Sequence, residues 1–136
     1  MRVFLDANVL FSAAKSNGAL RELLHLLLSA GHECWVDDYV VTEARRNLHA
    51  KEPETLALFG ALLNHMKIAP SQAPGKYLKE IDWLPEKDRL VLAAAIHLRC
   101  DALVTGDRTH FGVGYGKVFG GVTIYSPRSL AESLFV

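Results

Sequence analysis

Residues 1–13 read MRVFLDANVLFSA. A short apolar run, Arg2-Val3-Phe4-Leu5, passes straight into Asp6, then Asn8, then more apolar residues. The run reads as a buried strand that ends on a carboxylate. A single acid in that place is an ordinary turn residue. Its meaning depends on which later acids the fold brings beside it.

A chain of 136 residues fits one domain, residues 1–136, with a real core. Half of it is hydrophobic, which argues against disorder. No apolar run reaches the length of a membrane helix, and the longest, residues 20–30, contains Arg21, Glu22 and His25. The first residues lack the long apolar stretch and cleavage site of a signal peptide, so the chain is expected in the cytoplasm, away from membranes. Cys34 and Cys100 stand alone among apolar residues and are expected as reduced core side chains. Lysine plus arginine equals aspartate plus glutamate, 15 each. Dedicated DNA-binding domains are usually basic. Neutrality leaves open an RNA-cutting enzyme whose acids are balanced by nearby basic residues.

Strand-like runs fall at 3–5, 33–36, 102–105 and 122–125, with a weaker one at 66–69. Between them, Leu20, Leu23, Leu24, Leu27 and Leu28 repeat at helical spacing. Asp37 or Asp38 can cap a helix through Val41, Ala44 and Leu48. Pro53 opens a helix through Leu56 and Phe59, Pro85 one through Leu90 and Ala94, and Pro127 one through Leu130 and Leu134. Proline suits the first helical turn. The alternation predicts the α/β class, a central mostly parallel sheet with helices on both faces in a three-layer α/β/α sandwich. Residues 70–75 read as loop. The stretch GVGYGKVFGG, 112–121, neither follows a strand nor opens a helix, so it is expected as a flexible loop rather than a phosphate cradle.

In an open parallel sheet, ligands bind beyond the carboxyl ends of the strands, near the reversal of strand order. Asp6 follows the first strand and Asp107 follows ALVTG, two strands that can be neighbours. Glu43 lies early in the helix after the second strand, and Asp88 lies in the first turn of its own. Each has a simple alternative, as a turn residue or as a partner of the helix macrodipole. Four carboxylates at one edge would repel each other, and a divalent cation resolves that repulsion.

The segments FLDANVLFSA, VVTEARRNL, KDRLVLAAAI and LVTGDRTHFG together resemble the four acidic motifs of the PIN-domain nucleases. The resemblance covers nearly the whole chain, in order. It is strongest to compact prokaryotic members, including the VapC-like toxins. It implies a PIN-like fold and metal-dependent cleavage of RNA. Asp6, Glu43, Asp88 and Asp107 would then be the catalytic residues and the ligands of Mg2+ or Mn2+. It also implies an RNA substrate, a small antitoxin protein as partner, and a homodimer. Asn8 and Thr105 match flanking positions expected to orient carboxylates or water, a helix cap and a plain strand residue being the alternatives. One departure stands out. Many members carry a further acid shortly after the Asp107 position, where this chain has Arg108, Thr109 and His110. That leaves a second metal site short of a ligand. His110 could substitute or touch substrate, but a surface histidine is the expectation.

Arg45, Arg46 and Lys51 follow Glu43, Arg89 follows Asp88, and Arg108 follows Asp107. The four arginines are candidate contacts to RNA phosphates, against the alternative of a solvated helix face. A haloacid-dehalogenase-like phosphatase would need a second acid where Asn8 stands and a hydroxyl residue directly after ECWV. A receiver domain would need adjacent acids in the first loop. A non-catalytic PIN-fold interaction module would not need all four acids. A partner groove or dimer face is expected within residues 38–66, which include Tyr39, Leu56 and Phe59, although core packing accounts for most apolar side chains there.

Overall fold

Val3, Phe4 and Leu5 are all fully buried, although successive strand residues point to opposite faces. A strand that is dry on both sides must be covered on both sides. The computed structural model describes residues 1–72 and 78–135 and shows that cover. Strand β1 (Arg2–Leu5) lies between β2 (Glu33–Asp37) and β4 (Ala102–Val104), parallel to both. Strand β3 (Lys67–Ala69) continues the sheet beyond β2. Beyond β4 comes β6 (Val122–Tyr125), also parallel, and then the two-residue β5 (Val118–Phe119), antiparallel at the edge. The order is β3-β2-β1-β4-β6-β5.

Among the described residues, seven helices build the outer layers: α1 (Ala7–Lys15), α2 (Ala19–Ser29), α3 (Asp38–Lys51), α4 (Leu56–Leu63), α5 (Glu86–His97), α6 (Arg108–Phe111) and α7 (Pro127–Phe135). The expected three-layer α/β/α architecture is the one observed. Asp37 caps α3, accepting from the Val40 N–H at 3.0 Å. Pro53 opens a 3-10 turn, Pro53–Thr55, and α4 follows it. Phe59 and Leu63 of α4 point into the core, so Phe59 belongs to packing; Leu56 and Tyr39 are half-buried. Cys34 and Cys100 are free and buried, and burial pushes both thiols up to about 12, which makes them inert core residues. Among the described residues, no helix is long and apolar enough to cross a membrane.

Three elements depart from the sequence expectation. Residues 7–15 form α1, whose Ala7, Val9, Leu10, Ala13 and Ala14 are all buried. That nearly continuous apolar run hides the helical period. The glycine-dense stretch is ordered: it holds a 3-10 turn, Gly112–Gly114, and then β5. Gly120 and Gly121, at φ +55° and +83°, join β5 to β6 in a two-residue hairpin, a turn that needs positive φ at both central positions. Arg108–Phe111 is a short helix. Of the loop expected at 70–75, residues 70–72 have no regular secondary structure and 73–75 lie outside the described residues.

The start of α5 is placed by anchors rather than by a strand directly before it. Ile81 and Leu84 sink fully into the core. The Trp83 ring packs on Phe119, centroids 5.4 Å apart. Glu80 Oε1 accepts from the Gly120 N–H at 3.2 Å. The segment before α5 is thereby tied to the β5–β6 hairpin. The buried centre and the open edge of the sheet should respond differently to truncation. Leu103→Ala, at the fully buried centre of β4, is expected to cost about 2–5 kcal/mol. Ile68→Ala, on edge strand β3 at 48% exposure, should cost less than about 1 kcal/mol. Urea unfolding of the two variants checks the contrast.

Candidate functional site

The order reverses between β1 and β4, so the chain leaves these two neighbouring strands in different directions and opens a crevice at their carboxyl ends. The Asp6 N–H donates to the Val104 carbonyl at 3.1 Å, extending the ladder by one step. The side chains then take over. Asp6 Oδ2 accepts from the Thr105 hydroxyl at 2.8 Å and from Asn8 Nδ2 at 3.2 Å, while Oδ1 accepts from the Ala7 N–H at 2.8 Å. Asp6 is thus the cap of α1 and the first acid of the crevice at once. Thr105 Oγ1 also accepts from the Asp107 N–H at 3.1 Å. Asn8 Oδ1 accepts from the Gly106 N–H at 2.8 Å. A Cβ on Gly106 would sit 3.3 Å from that same oxygen, so the close approach favours glycine. Asn8 and Thr105 therefore brace Asp6 and the turn leading to Asp107.

Asp6, Glu43, Asp88 and Asp107 all line one cleft of about 150 Å3. Glu43 reaches it from the second turn of α3, slightly later than the sequence suggested, and Asp88 from the first turn of α5. Tyr115 closes the far side of Thr105, donating its hydroxyl to the Thr105 carbonyl at 2.8 Å. Burial pushes Asp6 from its ordinary 3.8 up to about 6, and the nearby Glu43 and Asp88 charges push the same way. The hydrogen bonds from Thr105 and Ala7 oppose this but do not prevail. Burial raises Asp88 as well, against the opposing charges of His110 and Lys87. Burial, followed by Glu43, Asp88 and Asp6, raises the Tyr39 hydroxyl.

His110 is no surface histidine. Its Nδ1 lies 2.8 Å from Asp107 Oδ2 and 3.0 Å from Asp88 Oδ2. A ring nitrogen carries at most one hydrogen, so it satisfies one of these oxygens. Among the described residues, Asp88 Oδ2 has no hydrogen-bond partner, although the atom is fully buried. Asp88, Asp107 and His110 each offer a ligand atom, all within 4.8 Å of one another. A buried, unpartnered carboxylate oxygen beside further acids fits a divalent cation.

The basic residues sort by helical phase. Asn47 and Lys51 follow Glu43 at one and two helical repeats of four, share its face, and line the cleft with it. Lys87 lines it from the residue before Asp88. The i+4 spacing from Glu43 was the sequence signal that would have found Asn47. Arg45, two residues after Glu43, is turned away and lies over the Phe59 ring, 5.5 Å from its centroid. Arg46 lines a neighbouring groove with Tyr39 and Glu43. Arg89 donates through Nη2 to the Asp82 carbonyl at 3.0 Å. Arg108 is exposed at the start of α6. A second groove shares Asn8 and Asp107 with the cleft. The acids therefore sit where two grooves meet.

A three-layer sandwich with acids at the β1/β4 reversal is the arrangement of a PIN-like fold. Residues 2–109 match the PIN domain family, and this chain belongs to it. No curated protein matches the sequence. Among solved structures, VapBC2 from Rickettsia felis, bound to a DNA fragment from its promoter, aligns at 17% identity and TM-score 0.70, over 93% of this chain and 98% of that one. VapBC-1 from nontypeable Haemophilus influenzae aligns at 11% identity and TM-score 0.61, over 94% and 99%. VapC20 from Mycobacterium tuberculosis, described as a sarcin-ricin loop cleaving toxin, aligns at 10% identity and TM-score 0.60, over 85% and 98%. At these identities the likeness is one of fold.

The raised Asp6 has a measurable consequence for the metal-free protein. A carboxyl whose folded pKa exceeds its unfolded one contributes stability that is complete below the unfolded value and lost as pH rises through the folded value. The window here runs from 3.8 to about 6, and at about 1.4 kcal/mol per pH unit it amounts to roughly 3 kcal/mol at most. In chelator, the wild-type melting temperature should fall across this window relative to that of Asp6→Asn. Parallel curves for the two proteins would refute the assignment. Thr105→Val keeps the shape but removes the hydroxyl that holds Asp6 and the Asp107 N–H. It should cost about 1–3 kcal/mol in denaturant unfolding.

Proposed function

We propose that this chain is a divalent-metal-dependent endoribonuclease that hydrolyses RNA phosphodiesters, and that it is the toxin of a toxin–antitoxin pair, carried by a single domain and active in the cytoplasm. The observation that carries the reading is the convergence of Asp6, Glu43, Asp88 and Asp107 on one cleft. Membership of the PIN domain family supports it, as does the toxin described for M. tuberculosis VapC20.

In this reading the four acids hold Mg2+ or Mn2+, whose chemistry when bound is Lewis-acidic: a lowered water pKa and counter-charge for the phosphodiester. Asp6 is pre-oriented by Thr105, Asn8 and the Ala7 N–H, so its carboxylate loses little freedom on binding. Lys51 and Lys87 offset the acids at the cleft wall and offer phosphate contacts without sequence information. Arg46 and Arg108 extend that role outward, while Arg45 and Arg89 are tied to Phe59 and Asp82. The two grooves meeting at the acids suit an extended strand better than a compact metabolite. Asn8, fully engaged with Asp6, Thr105 and Gly106, offers no acid/base group for a phosphatase.

An antitoxin segment that sets a basic side chain among the carboxylates would match the cleft electrostatically. The VapBC structures, whose fold this chain shares, support such a partner. The half-buried Tyr39 and Leu56 are proposed to face a partner or a second copy.

Purified protein should cleave mixed RNA with Mn2+ or Mg2+ and stop in chelator. Asp6→Asn should lower the rate by about 10²-fold or more, the scale seen when one electrostatic stabiliser is removed. Lys87→Ala should raise KM about fivefold with kcat kept, the loss of about 1 kcal/mol from one surface charge contact. Expression of wild type in a bacterial host should arrest growth, and Asp6→Asn should not. Cleavage without growth arrest would leave the nuclease and remove the toxin. Folded protein that binds Mn2+ but cuts no RNA would remove the nuclease.

A further inference from the structure

We infer that His110 is a metal ligand, so that Asp88, Asp107 and His110 form a mixed nitrogen–oxygen site that favours Mn2+ or a later transition metal over Mg2+. The inference rests on the metal-dependent reading above and assigns part of its site a different donor chemistry.

Three observations carry it. The first is spacing. Donors about 2.0–2.2 Å from an octahedral cation lie roughly 2.8–3.1 Å apart at neighbouring vertices. His110 Nδ1 lies 2.8 Å from Asp107 Oδ2 and 3.0 Å from Asp88 Oδ2. The second is the stranded oxygen. The Asp88 side chain is 9% exposed, and its Oδ2 has no hydrogen-bond partner among the described residues. Leaving a buried carboxylate oxygen unpartnered is costly, and a cation bound by both this oxygen and Nδ1 removes that cost. The third is how rigidly the set is held. Asp107 caps α6 through Oδ1, which accepts from the His110 N–H at 3.2 Å, so the acid and the imidazole are fixed to one turn of backbone. Asp107 is tied in turn to Thr105 through its own N–H. An imidazole thus stands among the carboxylate donors of this edge and gives the site a different metal preference. Mg2+ keeps to oxygen and water, whereas imidazole suits the transition metals.

The test is pulsed electron paramagnetic resonance of the full chain loaded with MnCl2 alone, alongside calorimetric titration with Mn2+ and with Mg2+. Wild type should show the 14N coupling of a directly bound nitrogen, and His110→Ala should lack it. His110→Asp should still bind Mn2+, also without the nitrogen signal, and its preference for Mn2+ over Mg2+ should fall by roughly tenfold or more. Far-ultraviolet circular dichroism confirms that each variant is folded, and His110→Asp preserves a ligand if His110→Ala does not fold. Mn2+ bound by wild type without 14N coupling overturns the inference and leaves the metal-dependent reading intact. A nitrogen signal that persists in His110→Asp overturns it too, because the ligand is then another histidine. Wild type that binds no Mn2+ at all removes the metal-dependent reading itself.

Discussion

The seam between β1 and β4 carries the arrangement of the cleft. There the backbone ladder runs out at the Asp6 N–H and Val104 carbonyl, and a side-chain network continues it: Asp6 to Thr105, Thr105 to Asp107, Asn8 to both Asp6 and Gly106. The Thr105 hydroxyl has one hydrogen and two lone pairs, and Asp6, the Asp107 N–H and the more distant Asn8 amide, at 3.3 Å, account for them. Because Asp6 caps α1 and Asp107 caps α6, the directions of two helices are set by the groups that also line the cleft. Local stability and site geometry here are the same set of hydrogen bonds.

This arrangement has an electrostatic cost. Folding brings carboxylates together and dries them. The hydrogen bonds that stabilise the charged form of Asp6 are outweighed by its burial and by Glu43 and Asp88. Such local frustration clusters at functional sites, because a site poised for a ligand is unsatisfied without it. His110 eases Asp88 only in part, since its one Nδ1 hydrogen cannot fully satisfy both Asp88 and Asp107. The surrounding sheet tolerates the cost because it is dry and close-packed, with Val3, Phe4, Leu5, Ala102, Leu103 and Val104 all fully buried.

Charge placement follows helix phase more than sequence proximity. Arg45 adjoins Glu43 closely in sequence yet lies over Phe59, while Lys51, eight residues on, returns to the cleft. On a helix, residues four apart share a face and residues two apart do not. The same rule brings Asn47 into the cleft beside Glu43. Neutral overall charge therefore hides a local pattern of acids at the centre and lysines at the wall.

The sequence by itself determined the strand–helix alternation and the parallel sheet, and it marked Asp6 and Asp107 as strand-end acids, because hydrophobic period and strand-end acids are local signals that neighbouring residues carry; that their strands are neighbours was decided by the sheet order. It also marked Glu43 and Asp88 as acids of early helical turns. Helix α1 was illegible because its apolar residues nearly fill the helix, and the β5–β6 hairpin was illegible because glycines allow a loop and a tight turn alike. Only the tertiary structure decided that Asp88 reaches the cleft, since Ile81, Leu84 and Trp83 place α5 through contacts with distant chain. Only it decided that His110 turns inward: a helix of four residues has no period to read, and the ring's direction is set by two carboxylates, one of them 22 positions earlier in the chain.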